Sequence, residues 1–256
     1  MPSIDFGKHA SDYADARPGF PSSFYHRLAS LCTLDGCRAL DLATGPGTIA
    51  LELASRGASV LGLDISPTLI EEAKRLSTRK KLGDRISFRV GRAEATGEKS
   101  DAYDLVTAGQ CWHWFDSDAA TAECRRILRP NGLLVIAYYS YLAPYSAPAR
   151  DTEELILRLN PSWDRAGSDG IESHLIDTVI RGGLQFVEAF CYDHDREFTH
   201  EGWRRRMRTC NGVGSGGMSE ADVARFDGEL AELLRERYPD PMEVTHRIWC
   251  VVARRS

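Results

Sequence analysis

The chain is short of several things, and each shortage removes a class of function. It has no excess of basic charge: 32 lysines and arginines stand against 37 aspartates and glutamates, a formal net charge of −5. A nucleic-acid binder usually carries a basic field. It has no apolar run near the roughly 20 residues that span a bilayer, and no apolar N-terminal stretch of the kind that marks a secretory leader. Its seven cysteines form no C-x-x-C pair. Such an odd, scattered set reads as reduced thiols, which points to a cytoplasmic protein and argues against a zinc site. No Asp/Glu/His cluster has metal-ligand spacing, so no metal is expected. What remains is an ordinary globular composition, 43% hydrophobic and 27% charged over 256 residues. That is long enough for one large α/β domain, or one domain plus an insertion. These properties favour a small-molecule partner over nucleic acid or membrane, and leave monomer and homodimer open.

The rest of the chain is organised around residues 39–64. Ala39-Leu40-Asp41-Leu42-Ala43 is a short apolar run of buried-strand length. It breaks at Thr44-Gly45-Pro46-Gly47, where the two glycines allow close backbone approach to a ligand. Thr48, Ile49, Ala50, Leu53 and Ala54 then fall at helical spacing, and Gly57 sits where a helix C′ residue belongs. Ser59 to Leu63 reads as a second strand ending in Asp64. A helix N-terminus offers unpaired N–H groups, and an acid after the second strand can accept both hydroxyls of a ribose. The ligand read from this unit is therefore a nucleoside held by its sugar. Gly45-x-Gly47-x-x-Ala50 also fits the dinucleotide pattern, which leaves a nicotinamide-dependent oxidoreductase as an alternative. Asp41 points elsewhere: near the carboxyl end of the first strand it could face an ammonium group, which no nicotinamide cofactor presents there.

An acid followed by spaced glycines, with a second acid after the next strand, resembles the first motifs of class I S-adenosylmethionine-dependent methyltransferases. Ala43 stands where many members carry the first glycine, so a bulkier loop is expected. Two further stretches resemble the trans-aconitate methyltransferase-like branch (methyltransferase type 11): Tyr13-x-x-x-Arg17-Pro18-x-x-Pro21, and Gln110-x-x-His113-Trp114-Phe115 after the fourth strand. The resemblance implies S-adenosyl-L-methionine as cofactor, S-adenosyl-L-homocysteine as product, and a small-molecule acceptor methylated on oxygen, either carboxylate or hydroxyl. It implies that Tyr13 covers the sulfonium end and that Arg17 pairs with the cofactor carboxylate. It implies that Asp41, Ala43, Gly45, Gly47, Asp64 and Ile65 line the cofactor, with Ala93 and Glu94 beside adenine and Gln110 at the methionine end or adenine. His113 is the candidate general base, since histidine titrates near neutrality. Trp112 and Trp114 either box the sulfonium through cation–π contact or belong to the core. Arg204, from the basic run Arg204-Arg205-Arg206-x-Arg208, is the candidate grip on an acceptor carboxylate. A non-catalytic S-adenosylmethionine-binding protein stays open. The N-P-P-Y type tetrad of nucleobase amino-methylating enzymes is absent after the fourth strand.

Taken in order, residues 1–36 read as an arm and helix, with Phe24, Leu28 and Leu31 at helical spacing. Residues 37–143 read as the cofactor-binding core, including a helix capped by Ser66-Pro67, a strand at Ile86–Val90, and strands at Tyr103–Ala108 and Leu133–Tyr139. Residues 144–182 break the strand–helix rhythm and read as a helical insertion over the site, with a capping box expected at Asp151-x-x-Glu154. Residues 183–256 complete the sheet: a strand at Phe186–Phe198, a basic helix, a helix from Ser219, and a final strand at Glu243–Arg254. The expected fold is α/β: a doubly wound, mostly parallel seven-stranded sheet of Rossmann-like methyltransferase type, with an antiparallel seventh strand.

Overall fold

A computed structural model describes residues 19–214 and 217–256. Tyr13 and Arg17 lie outside the described residues. The strands are β1 (Arg38–Leu42), β2 (Ser59–Asp64), β3 (Ile86–Val90), β4 (Tyr103–Gly109), β5 (Leu128–Tyr141), β6 (Gln185–Phe198) and β7 (Met242–Arg254). They form one sheet in the order β3-β2-β1-β4-β5-β7-β6. The β1–β2, β1–β4, β2–β3 and β4–β5 pairings are parallel. β7 runs the other way. Asn131 donates to the Arg255 carbonyl at 2.8 Å and Leu142 to that of Thr245 at 2.9 Å, so residue numbers rise along β5 as they fall along β7. The expected antiparallel seventh strand is therefore present.

The helices are α1 (Ser22–Leu31), α2 (Thr48–Ser55), α3 (Pro67–Arg79), α4 (Ser117–Ile127), α5 (Ala147–Leu159), α6 (His174–Arg181), α7 (His200–Arg208) and α8 (Glu220–Arg237). Local chemistry sets several starts. Ser66 accepts from the Leu69 N–H, Asp116 from Ala119 and Ser219 from Asp222, each satisfying a donor that the first helical turn leaves over. Two expectations need correcting. α5 begins at Ala147 with Pro148 in its first turn, so Asp151 lies inside the helix and its carboxylate binds Arg237 and the Tyr238 hydroxyl instead of a helix end. β5 starts at Leu128, not Leu133: Leu128 already pairs with Tyr103, and the register shifts before Leu133 meets Leu105, so Pro130-Asn131-Gly132 forms a bulge within the strand.

The described chain divides into two compact units. The core unit comprises Gly19–Tyr139, Glu172–Cys191 and Trp249–Ser256. One face of its sheet packs Leu40, Leu42, Val106, Leu134, Ile136 and Val251 with α4 and α6 residues Cys124, Ile127, Leu175 and Val179. The helical unit holds Ser140–Ile171 and Tyr192–Ile248. Its separate core joins Leu155 and Ile156 of α5, Trp203 and Met207 of α7, and Phe226, Leu230 and Leu234 of α8. The stretch read as one insertion, 144–182, thus holds two helices that fall in different units: α5 in the helical unit and α6 in the core unit. Among the described residues no helix is long and apolar enough to cross a membrane.

Candidate cofactor site

In the strand order, the chain crosses from β1 outward to β2 and β3, then returns to β4 on the other side of β1. The region beyond the carboxyl ends of the strands at such a reversal, here β1 and β4, is the usual ligand position in open α/β sheets. Two segments of unusual backbone sit there. After β1, Ala43, Gly45 and Gly47 have φ of 46°, 57° and 85°. After β4, Gln110 has φ of 62°. For a non-glycine residue the left-handed region costs roughly 1–2 kcal/mol, so Ala43 and Gln110 are held there by their surroundings. Thr44 donates its N–H to the Leu63 carbonyl at 2.8 Å, and Gln110 donates its own to Ala137 at 2.9 Å and its side-chain amide to the Tyr139 carbonyl. Gly47 also lies against the Phe88 ring, where a Cβ would come within 3.1 Å.

The two acids do different work. Asp64 ends β2 and is buried. Its Oδ2 accepts the Gly45 N–H and its Oδ1 the Ser66 N–H, both at 2.9 Å. One carboxylate thus pins the glycine bend to the end of β2. Burial pushes its pKa up, and the N–H groups of Ser66, Gly45 and Ile65 oppose that shift. Asp41 is only 2% exposed. Its register partner on β4 is Thr107, whose hydroxyl donates to Oδ1 at 2.6 Å, while that of Thr44 donates to Oδ2 at 2.6 Å. Burial pushes the Asp41 carboxyl up to about 6, against the hydrogen bonds of Thr107, Thr44 and the Ala50 N–H, with the Asp64 charge adding to the rise. Asp41 therefore holds the bend and the start of α2 through internal donors. Thr44 and Thr107 went unmarked in the sequence reading. Only the strand register, which sets Thr107 beside Asp41, reveals the second of them.

The remaining residues sort by exposure. Ile65, beside Asp64, is 70% exposed. Ala93 is buried, and Glu94 accepts the Asp116 N–H at 3.2 Å and lies 3.5 Å from the Arg92 guanidinium, so it ties the turn after β3 to the cap of α4. Trp112, His113 and Trp114 form a single 3₁₀ turn after β4. His113 is exposed, its Nδ1 lies 3.2 Å from the Tyr138 hydroxyl, and its ring lies 4.7 Å from that of Trp114. Trp114 is 49% exposed, whereas Trp112 is 1% exposed, set edge-on to Phe115 within the core cluster. For Trp112 the core alternative is the one realised, because the 3₁₀ turn rotates neighbouring side chains to different sides. Arg204 is also corrected. It belongs to the helical unit, and its guanidinium is engaged by Asp227 and Glu201. The buried arginine of that run is Arg206, which lies over Tyr141 at 5.1 Å and Trp203 at 5.7 Å.

A strained glycine bend after β1, an acid closing β2 and an antiparallel β7 between β5 and β6 define the class: a Rossmann-like methyltransferase fold. The Methyltransferase domain family model matches residues 40–136, which carry all of the bend, both acids and the turn after β4. The chain resembles an uncharacterized methyltransferase of Schizosaccharomyces pombe, with 31% identity over 135 residues, covering 52% of this chain and 51% of that one. It also resembles a ubiquinone biosynthesis O-methyltransferase of Xanthomonas euvesicatoria, with 28% identity over 178 residues, covering 68% and 71%. Against the solved structure of a candidate Type II methyltransferase from Anaeromyxobacter dehalogenans, the TM-score is 0.67 at 23% identity, covering 93% of this chain and 97% of that one. The chain spans about half the length of the first curated relatives it matches. Residues 40–136 match the Methyltransferase domain model, and the chain has the fold of solved methyltransferases.

Proposed function

We propose that the chain is an S-adenosylmethionine-dependent methyltransferase that delivers a methyl group to an oxygen of a small molecule, a hydroxyl or a carboxylate. The observation that carries this reading is the bend between β1 and α2 with Asp64 closed against it. Asp64 accepts from Gly45 and Ser66, with the Ile65 N–H also turned to it, and a carboxylate has about four acceptor positions. What remains suits a ribose hydroxyl. Ile65 offers an apolar face for a purine, and the Gly45–Gly47 backbone leaves room for close approach. The residues present fit this cofactor. The oxygen preference is supported by the O-methyltransferase relatives, which are named for that activity. A nicotinamide reading has less support, because an antiparallel strand between β5 and β6 belongs to the methyltransferase topology.

When bound, the cofactor supplies a methyl carbon on a sulfonium, displaced in line by the acceptor oxygen while the sulfur keeps the C–S electron pair. The chain's task is to orient, to exclude water and, for a hydroxyl, to take a proton. His113, on the exposed turn beyond β4, is the proposed base for that last step. The Trp114 ring lies beside it, tilted at 46°. A carboxylate acceptor, already ionised near neutral pH, needs no base. Tyr13 and Arg17 are proposed to contact the sulfonium end and the cofactor carboxylate.

Calorimetric titration with S-adenosylhomocysteine and with NADH tests the cofactor: binding of the former alone is expected, and binding of NADH alone overturns the reading. Labelled-methyl transfer to a panel of hydroxyl and carboxylate acceptors tests the chemistry. His113→Ala should lower turnover of a hydroxyl acceptor on the order of 10²-fold and spare a carboxylate acceptor. S-adenosylhomocysteine binding with no methyl transfer to any acceptor would favour a non-catalytic binder.

A further inference from the structure

Two neighbouring arginines, Arg254 at the end of β7 and Arg255 just after it, are provided for differently. The Arg255 guanidinium pairs with Asp101 and donates to the Leu128 carbonyl. Arg254 has no ion pair, hydrogen bond or aromatic partner among the described residues. Of its three nitrogens, Nε alone is fully buried, with no acceptor, and the Nη fork is left to the cavity beside it. A guanidinium with one nitrogen out of water and no counter-ion is costly, and such groups usually meet a water or an ion. That cavity measures about 400 Å³ and lies at the amino ends of β1 and β4, the end of the sheet opposite the glycine bend. All of its lining belongs to the core unit. Leu31 and Leu133 give it an apolar wall, continued by Cys32 and Cys37. Burial raises the pKa of both thiols, that of Cys37 to about 12, so both are uncharged near neutral pH. Two acids share the lining without pairing with Arg254. Asp104 is held by the Arg129 guanidinium at 2.6 Å and the Arg38 N–H at 2.8 Å, and Asp35 is exposed.

We propose that this cavity is a second ligand site, for a short aliphatic monocarboxylate: the carboxylate takes the Arg254 Nη fork, and the carbon chain lies along Leu31, Leu133 and the two thiols. A guanidinium fork matches a carboxylate with two parallel charge-assisted bonds. The apolar wall selects a ligand with a hydrocarbon stem over a bare inorganic anion. The Asp35 charge on the same lining disfavours a second negative group, so one carboxylate is preferred to two. The site is separate from the glycine bend and stands whether or not the methyltransferase reading holds.

Titration of the ¹⁵N-labelled full chain with butyrate, followed at the backbone amides of Gly36, Cys37, Asn131 and Gly132, tests this. Saturable shifts at those amides are expected, with a millimolar Kd. Arg254→Gln should weaken butyrate binding at least about tenfold. Butyramide has the same shape without the charge and should bind the wild type at least about tenfold more weakly than butyrate. Inorganic phosphate, which has no stem, should also bind more weakly, and so should succinate, which brings a second charge. The absence of saturable shifts at these amides overturns the proposal, as does equal butyrate affinity in wild type and Arg254→Gln. Phosphate or succinate binding as tightly as butyrate overturns the assignment of a monocarboxylate. If Arg254→Gln fails to fold, the comparison of butyrate with butyramide on the wild type decides: equal affinity contradicts the proposal. Failure of the methyltransferase reading would show separately, as no S-adenosylhomocysteine binding by the wild type.

Discussion

Asp41 in the core unit and His246 in the helical unit are both buried, and burial moves them in opposite directions. The Asp41 carboxyl is pushed up to about 6. The imidazole of His246, fully buried and stacked on Phe198, is pushed down to about 3, with the Arg206 charge adding to the effect of burial. Their settings differ more than their burial. Around Asp41 the backbone itself is strained, at Ala43 and Gln110, and a second buried carboxylate lies close by. Around His246 lie Phe198 and the charge of the buried Arg206, while other charges of that unit are paired, Arg204 and Arg208 with Asp227 and Arg237 with Asp151. Strain and buried charge persist where surrounding structure and a ligand compensate for them. The left-handed backbone at Ala43 and Gln110 is the feature of the proposed site that has no counterpart around His246 among the described residues.

The largest expected effect breaks the cofactor side. Asp64→Ala removes the partner of Gly45 and Ser66 together with the proposed partner of the ribose, and S-adenosylhomocysteine affinity by calorimetry should fall at least 100-fold, about 3 kcal/mol. Next comes acid sensitivity in the helical unit. Below about pH 6.5 the unfolded chain protonates this histidine while the folded chain does not until about 3, so stability is lost as pH falls through that window. His246→Phe should remove that loss and, at about pH 4.5, retain on the order of 2–3 kcal/mol more of its neutral-pH stability than wild type in urea titrations.

Asp41 has the opposite sign. Between about 6 and 3.8 the folded chain keeps a proton that the unfolded chain has released, so this group's contribution to stability grows as pH falls. Asp41→Asn should lose that gain, about 2 kcal/mol by pH 4.5 relative to wild type. Equal slopes in the two variants would erase the contrast. Arg204→Ala should cost about 1 kcal/mol of stability through Asp227 and leave S-adenosylhomocysteine binding unchanged; a selective loss of acceptor turnover would restore Arg204 to the site. Ala43→Gly should be smallest, relieving a left-handed alanine and stabilising by roughly 0.5–1 kcal/mol in thermal denaturation.

The same contrast explains what the sequence revealed. The bend at Gly45–Gly47, the acid at Asp64 and the caps at Ser66, Asp116 and Ser219 were legible because each needs a particular residue for a local backbone reason. The antiparallel final strand was legible through its length and position. Arg204 and Trp112 were misplaced because helical and 3₁₀ turns put adjacent residues on different sides, and nothing local says which side meets solvent. The capping box at Asp151 failed for a tertiary reason: its partners, Arg237 and Tyr238, lie more than 80 residues away. Thr107 was hidden for the same reason, since its partner Asp41 becomes its neighbour only through the β1–β4 register.

Hydrogen exchange with and without S-adenosylhomocysteine is the most direct measurement of where the ligand sits. Slower exchange is predicted in peptides covering residues 43–50, 64–66 and 110–114, with little change in the helical layer at 200–237. Saturating ligand that leaves the first set unaltered, or protects only the second, would contradict the account.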